Sequence, residues 1–446
     1  MENKFFVKIQ KYVFITFLLA IPLIYTTHLE PGQVTLRVFQ EHVYQMGAMI
    51  LFSFFVGNIY LTAFFVLNCV LFVINGGAVG FDYVLNIFLA LGLFSVSRRF
   101  FKIFSFKQII SCLLILGFIN LLYLALQRFG IAPLHQSVDN AGMNANHTGQ
   151  DITGIFYSKS VSGFFFALII PILASINMIY VIFAFAGIYF SESSVAILAG
   201  TIGLLFYTYS ARSEWRIMVP YCLPTFQKFR FKKLSQGTKE FYPKWSVVLV
   251  CILIPVCLLY IFGHDQKTDP KSFTSRFHIW YAGVEKTFMR PVGYGPDSWR
   301  NITKHKDFVF SGDEESRAAV SYQIEGNKYN FTYYHPNQYN RRHGFAGIQP
   351  KNITFWDNAH NEYITIFFQY GFLGMFLFCL LIKDMVLKFR KSDYSKEIIL
   401  VTSMLLVFAV AGLTQFPLHL ARVGYIFPIL LGAFYRYAEN GHERAY

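Results

Sequence analysis

The residues that could do chemistry gather between positions 263 and 360. This stretch holds Arg276, Arg290, Arg300, Arg317, Arg341 and Arg342, with six of the chain's 12 histidines. Guanidinium forks match phosphate oxygens two at a time, and each charge-assisted bond is worth about 1.5–3 kcal/mol. Several of them converging on a diphosphate would stabilise it as a leaving group without a metal. Taken singly, each arginine can equally pair with a loop acid or a lipid headgroup. His360 follows Asp357, which is placed to cap the apolar helix that comes next. A neutral imidazole there can accept a proton from an attacking sugar hydroxyl, help worth about 10²–10⁴-fold. It can also simply bond a backbone group at the membrane interface. Asn361 could orient that histidine, bind a sugar or cap the helix. Trp280, Tyr333 and Tyr334, near Asn327 and Asn330, offer aromatic faces to sugar rings, although loop packing explains Tyr equally well. Asp313-Glu314-Glu315 could ligate a divalent cation, but a solvated turn accounts for it, so no metal site and no cofactor is assigned.

The elements that hold these residues read as membrane helices. The chain has 446 residues, 54% hydrophobic and only 14% charged, with mean hydropathy +0.41, against about 25% charged in soluble chains. Apolar spans of roughly 20 residues recur along it. The first, from about Lys11 to Leu29, has no clear cleavage site and is expected to be retained. Further spans are expected near 45–58, 60–76, 80–97, 108–126, 161–176, 177–190, 194–209, 245–262, 361–382, 397–414 and 422–438. The fold class is therefore an all-α polytopic membrane protein of about twelve helices. Residues 1–262 form the first nine, 263–360 a large outer loop, and 361–446 the last three with a cytoplasmic C-terminus. The basic loops (Lys4 to Lys11, Arg98 to Lys102, Arg216 to Lys244, Lys383 to Lys391) all fall on one side of this arrangement. The positive-inside rule makes that side the cytoplasm, so both termini are cytoplasmic and the large loop faces out. The formal charge of +14 is taken up by this topology and by anionic lipid, not by nucleic acid. Aromatic enrichment, 51 Phe and 28 Tyr, reads mostly as lipid-facing bulk and interfacial belt. The 6 cysteines all lie outside the large loop, which argues against a disulfide framework there.

Arg276-Phe277-His278-Ile279-Trp280, Pro291-Val292-Gly293-Tyr294-Gly295 and His360-Asn361 with Gly371-Phe372-Leu373-Gly374 together resemble the O-antigen ligase and O-antigen polymerase superfamily of bacterial membrane glycosyltransferases. Arg276-Phe277-His278-Ile279-Trp280 is similar to the family's Arg followed by three residues and an apolar one. Pro291-Val292-Gly293-Tyr294-Gly295 resembles its Pro-x-x-Gly-x-Gly turn. His360-Asn361 with Gly371-Phe372-Leu373-Gly374 resembles its His-Asn…Gly-x-x-Gly signature, with Met375 where ligases often carry a small β-branched residue. Upstream, Thr153-Gly154-Ile155-Phe156 through Pro171 is similar to a Gly-x-Phe loop and a Pro-bearing helix. The resemblance covers about 150 to 435. It departs at Ser191-Glu192-Ser193-Ser194, where many members carry a Ser-Arg pair.

The resemblance implies a GT-C-like fold and a metal-independent, inverting transfer. The glycan would pass from undecaprenyl diphosphate to an acceptor at the periplasmic face of the inner membrane. It implies that Arg276 contacts the diphosphate, with Arg290, Arg341 or Arg342 as further contacts, and that His360 activates the acceptor hydroxyl. Gly293, Gly295, Gly371 and Gly374 would shape the turns, and Asn361, Trp280, Tyr333 and Tyr334 would meet glycan or acceptor. The expected partners are the lipid-linked glycan, a glycolipid or glycan acceptor, and membrane lipid. A ligase onto lipid A–core, a polymerase of lipid-linked repeat units and a protein O-oligosaccharyltransferase all fit. A polysaccharide or anion transporter is the reading of another class. Against it stand the absence of an evident repeat and the few charges in the spans.

Overall fold

A computed structural model describes residues 12, 14–16, 18–19, 58–74, 81–103, 106–132, 135–136, 150–156, 158–211, 280–281, 283–296, 298, 309–310, 318–325, 328–334, 359–392, 394–415, 418 and 421–443. Within them run α1 (Ile59–Ile74), α2 (Phe81–Ile103), α3 (Lys107–Arg128), α4 (Lys159–Ile176), α5 (Val181–Phe190) and α6 (Ser194–Ala211). A short loop helix α7 (283–289) follows, then α8 (Glu362–Lys391), α9 (Lys396–Ala411), α10 (Ala421–Gly424) and α11 (Ile426–Glu443). By length and composition, α3, α4, α6 and α8 can each cross a bilayer. The expected spans near 45–58 and 245–262 lie outside the described residues.

Several expectations change. The span expected near 177–190 is a 3₁₀ turn, Met178–Tyr180, followed by the ten-residue α5. Asn177 breaks the chain there: it is extended, and its side chain accepts from the Ile179 amide. The span expected to stop at 382 runs to Lys391, so Lys388, Arg390 and Lys391 ride on the helix itself. Of the described residues, Phe94, Phe156, Phe165, Phe166, Phe185, Phe368 and Phe434 are among the largest fully buried side chains. Glycines make that burial possible. A Cβ on Gly187 would lie 2.6 Å from the Phe166 ring, and one on Gly200 2.5 Å from Ile170. Small residues at helix contacts let backbones approach closely, as membrane interiors favour.

Ring contacts fix which ends of the helices meet. Phe164 near the start of α4 lies edge-on to Phe408 near the end of α9, and Phe408 also meets Phe427 at the start of α11. The amide of Glu362 donates to the Gly412 carbonyl just past α9, at 2.8 Å. The start of α8 therefore shares one end of the bundle with the starts of α4 and α11. At the other end Phe206 meets Phe389, and Phe106 meets Tyr437. There Arg98 pairs with Glu439 through two nitrogens, and Lys388 lies over the Tyr435 ring. His360 thus stands at the end opposite Arg98, Lys388 and Arg390.

The chain is mostly helical, and the region expected as the large loop also holds antiparallel strands that sequence reading does not anticipate. β3 (Val309–Phe310), β4 (Ala318–Glu325) and β5 (Lys328–Tyr334) form one sheet, with Val320 opposite Tyr333 and Ala319 opposite Tyr334. A smaller ladder pairs β1 (His135–Gln136) with β2 (Gln150–Asp151).

Candidate active site

Residues 359–361 enter α8 through an unusual backbone. His360 has φ 46, a left-handed conformation that histidine visits more readily than most residues but that still costs energy. Asn361, not Asp357, is the N-cap: its Oδ1 accepts from the Tyr363 and Ile364 amides, each at 3.0 Å. Its Nδ2 donates to the Leu413 carbonyl at 2.9 Å. Of the three roles open to Asn361, capping is the one its contacts display. The reason is local: Asn361 is extended at φ −156, as an N-cap must be, whereas Asp357 lies outside the described residues.

Beside His360, the Ala359 carbonyl accepts the Trp280 indole N–H at 2.7 Å. Ala359 and Phe368 are buried, and Trp280, Tyr294 and Ile364 pack on them. The Tyr294 ring stacks on Phe368 with centroids 4.8 Å apart and 16° between planes. Arg290 lies over the Tyr294 ring, its guanidinium carbon 5.2 Å from the centroid. Burial pushes the Tyr294 phenol above its usual range, and the Arg290 charge pulls it back in part.

Two sequence motifs, well separated in the chain, are also joined through the backbone. The Tyr294 and Gly295 amides donate to the Phe368 and Gln369 carbonyls, at 3.1 and 2.8 Å, and the Phe372 amide donates to Pro291 O at 3.0 Å. Those α8 carbonyls and that amide leave the helical ladder because Gly371 has φ 62 and ψ −159, a region open essentially to glycine. Gly374 packs differently: a Cβ there would meet the Tyr370 side chain at 2.1 Å.

The family-model match lies across this same ground. Residues 179–379 match a family model described as O-antigen ligase. This stretch is an O-antigen ligase family domain. Comparison with curated proteins gives no match. The O-antigen ligase domain includes Trp280, Arg290, the Pro291–Gly295 turn, His360, Asn361, Gly371 and Gly374. The family supports a general role in lipid-linked glycan transfer in a membrane.

Of the other residues expected at the site, Arg276, Arg341 and Arg342 lie outside the described residues, and Tyr333 and Tyr334 are described only as backbone of β5. Sequence reading gave no role to Glu362 or Tyr294. Glu362 is buried, and its Oε2 accepts from the Leu418 amide at 3.0 Å. An acid directly after His-Asn at a helix start was the available signal. At the departure from the family pattern, Glu192 has φ 53. It pairs with Lys159 at 2.9 Å and Arg128 at 3.6 Å.

A third motif sits at the same end of the bundle. The turn Gly154–Phe156 dips among helices, and the Gln127 Oε1 accepts from the Thr153 and Gly154 amides, at 3.1 and 2.9 Å. Asn120 Oδ1 accepts from the Ile155 amide at 2.9 Å. Irregular backbone inside a membrane bundle requires such partners.

Proposed function

We propose that this protein transfers a glycan from a polyprenyl-diphosphate donor to an acceptor hydroxyl at the outer face of a bacterial inner membrane. One observation carries the reading: His360 is held off the helix ladder beside its cap Asn361, on a helix whose kink is bonded to the turn that follows Arg290. The imidazole takes the acceptor proton as the acceptor oxygen attacks the anomeric carbon from the face opposite the diphosphate. The bond from that carbon to the diphosphate oxygen breaks, and its electron pair leaves with the diphosphate. The configuration therefore inverts. Arginine charge, from Arg276 with Arg290, Arg341 or Arg342, stabilises the leaving group, and no metal is needed for that step.

In this reading the donor lipid is undecaprenyl diphosphate, the basic end of the bundle faces the cytoplasm, and the lipid A–core acceptor of a ligase is the first choice. Polymerase and protein O-oligosaccharyltransferase chemistry differ only in the acceptor. The test is transfer by purified protein, in detergent and without a gradient, from a defined lipid-linked glycan to defined acceptors. Product with wild type, none with His360→Ala, and the identity of the accepting lipid support the reading. Unchanged product with both His360→Ala and Arg276→Ala removes it.

A further inference from the structure

The loop helix α7 has two unlike sides. Gly283 and Thr287 are buried against the protein, and the Thr287 hydroxyl donates to the Gly283 carbonyl at 2.8 Å. The opposite side is open, and it changes character along its length. Tyr281 and Glu285 are exposed toward its start, whereas Phe288, Met289 and Val292 stand 63%, 65% and 59% exposed toward and beyond its end. Three large apolar side chains so open in a polar loop require a cover.

The apolar edge continues into a membrane helix. Phe288 meets Phe367 and Phe372 edge-on, with centroids 6.3 and 5.4 Å apart. Phe372, Leu373 and Phe376 are themselves exposed on α8, a helix long and apolar enough to cross a bilayer. The edge of α7 thus continues the exposed apolar face of α8. Just beyond it stands Arg290, its guanidinium propped over Tyr294, where a cation would meet phosphates at the headgroup level.

We infer that α7 is an interfacial helix of the outer leaflet, whose Phe288–Met289–Val292 edge lies among the acyl chains of bilayer phospholipid with Arg290 at the depth of the phosphates. Interfacial helices insert about 5–10 Å in this manner. Trp280 stands just before the helix, which leads into the Pro291–Gly295 turn, so lipid contact fixes the height of the site over the membrane. The inference rests on the chain spanning a bilayer and stands whether or not glycan transfer is its activity.

The test is spin labelling in phosphatidylcholine vesicles, in a background lacking the 6 cysteines. Single cysteines replace Glu285, Met289, Val292 and, as a lipid reference, Phe376. Oxygen should collide with labels at 289 and 292 more often than a water-soluble nickel complex does, as at 376, with the order reversed at 285. Nickel reaching 289 and 292 as freely as 285 overturns the inference. So does exclusion of both reagents from 289 and 292, because protein would then cover the edge. The unaltered cysteine set gives a second reading. The added emission of Met289→Trp should be quenched by acyl-brominated phosphatidylcholine, and unquenched emission overturns the inference independently.

Discussion

A methyl group on Gly371 would lie 2.1 Å from the carbonyl oxygen of Pro291, closer than any real contact. The two residues belong to different motifs, one in the large loop and one inside a membrane helix. Their approach, with the Phe372 amide bonded to Pro291 O, couples the position of the Arg290 turn to the bend in α8.

Gly371→Ala should therefore be severe. Left-handed backbone alone costs about 1–3 kcal/mol for a residue with a Cβ, and the clash with Pro291 adds to it. Gly130→Ala is the comparison, with φ 71 and nothing within 4 Å of the added atom. It should lose only about 1–2 kcal/mol. Thermal unfolding in detergent separates the two.

His360→Ala should lower transfer by about 10²–10⁴-fold, the usual worth of a general base. His360→Gly should be equally inactive yet more stable than His360→Ala, because φ 46 suits glycine better than alanine. Paired rate and unfolding measurements check this, and equal stability of the two would contradict the backbone argument.

Asn361→Ala should lose about 1 kcal/mol from the cap, together with the bond to the Leu413 carbonyl. Asn361→Asp keeps the cap acceptor and loses only that second bond. Activity should follow the same order if the cap is what holds His360, and circular dichroism melts with parallel transfer assays test it.

Gln127→Leu strands the Thr153 and Gly154 amides, which its Oε1 now accepts. Each buried donor left without a partner costs about 1–3 kcal/mol. Protease nicking near residue 153 should rise with the fall in melting temperature.

The Tyr294 phenol is held above its ordinary 10.0 by burial, so the neutral form is favoured in the fold. Its stability contribution is complete below the unfolded phenol's pKa and fades as pH rises through the folded one. Tyr294→Phe should flatten the alkaline loss of stability above about pH 10, seen as a smaller shift in melting temperature.

The boundaries of α3, α4 and α6 were legible because an apolar run of bilayer length has few other uses, and the spacing of His360, Asn361, Gly371 and Gly374 pointed to the candidate site. The break at Asn177 was not, since apolar residues continue on both sides and hydropathy averages over the cap. Nor were the polar anchors Asn120 and Gln127, whose purpose is visible only once the Thr153–Phe156 turn lies against them.

A membrane chain, a polar segment rich in Arg and His, and the family of residues 179–379 follow from the chain read in order, because composition and local spacing are properties of neighbours. Only the tertiary structure decided that the Pro291–Gly295 turn seats on the Gly371 bend, that Asn361 caps α8, and that α7 presents an apolar edge in line with Phe372 and Phe376. Those facts depend on backbone groups and side chains far apart along the chain. Nothing local specifies which distant carbonyl a freed amide will find.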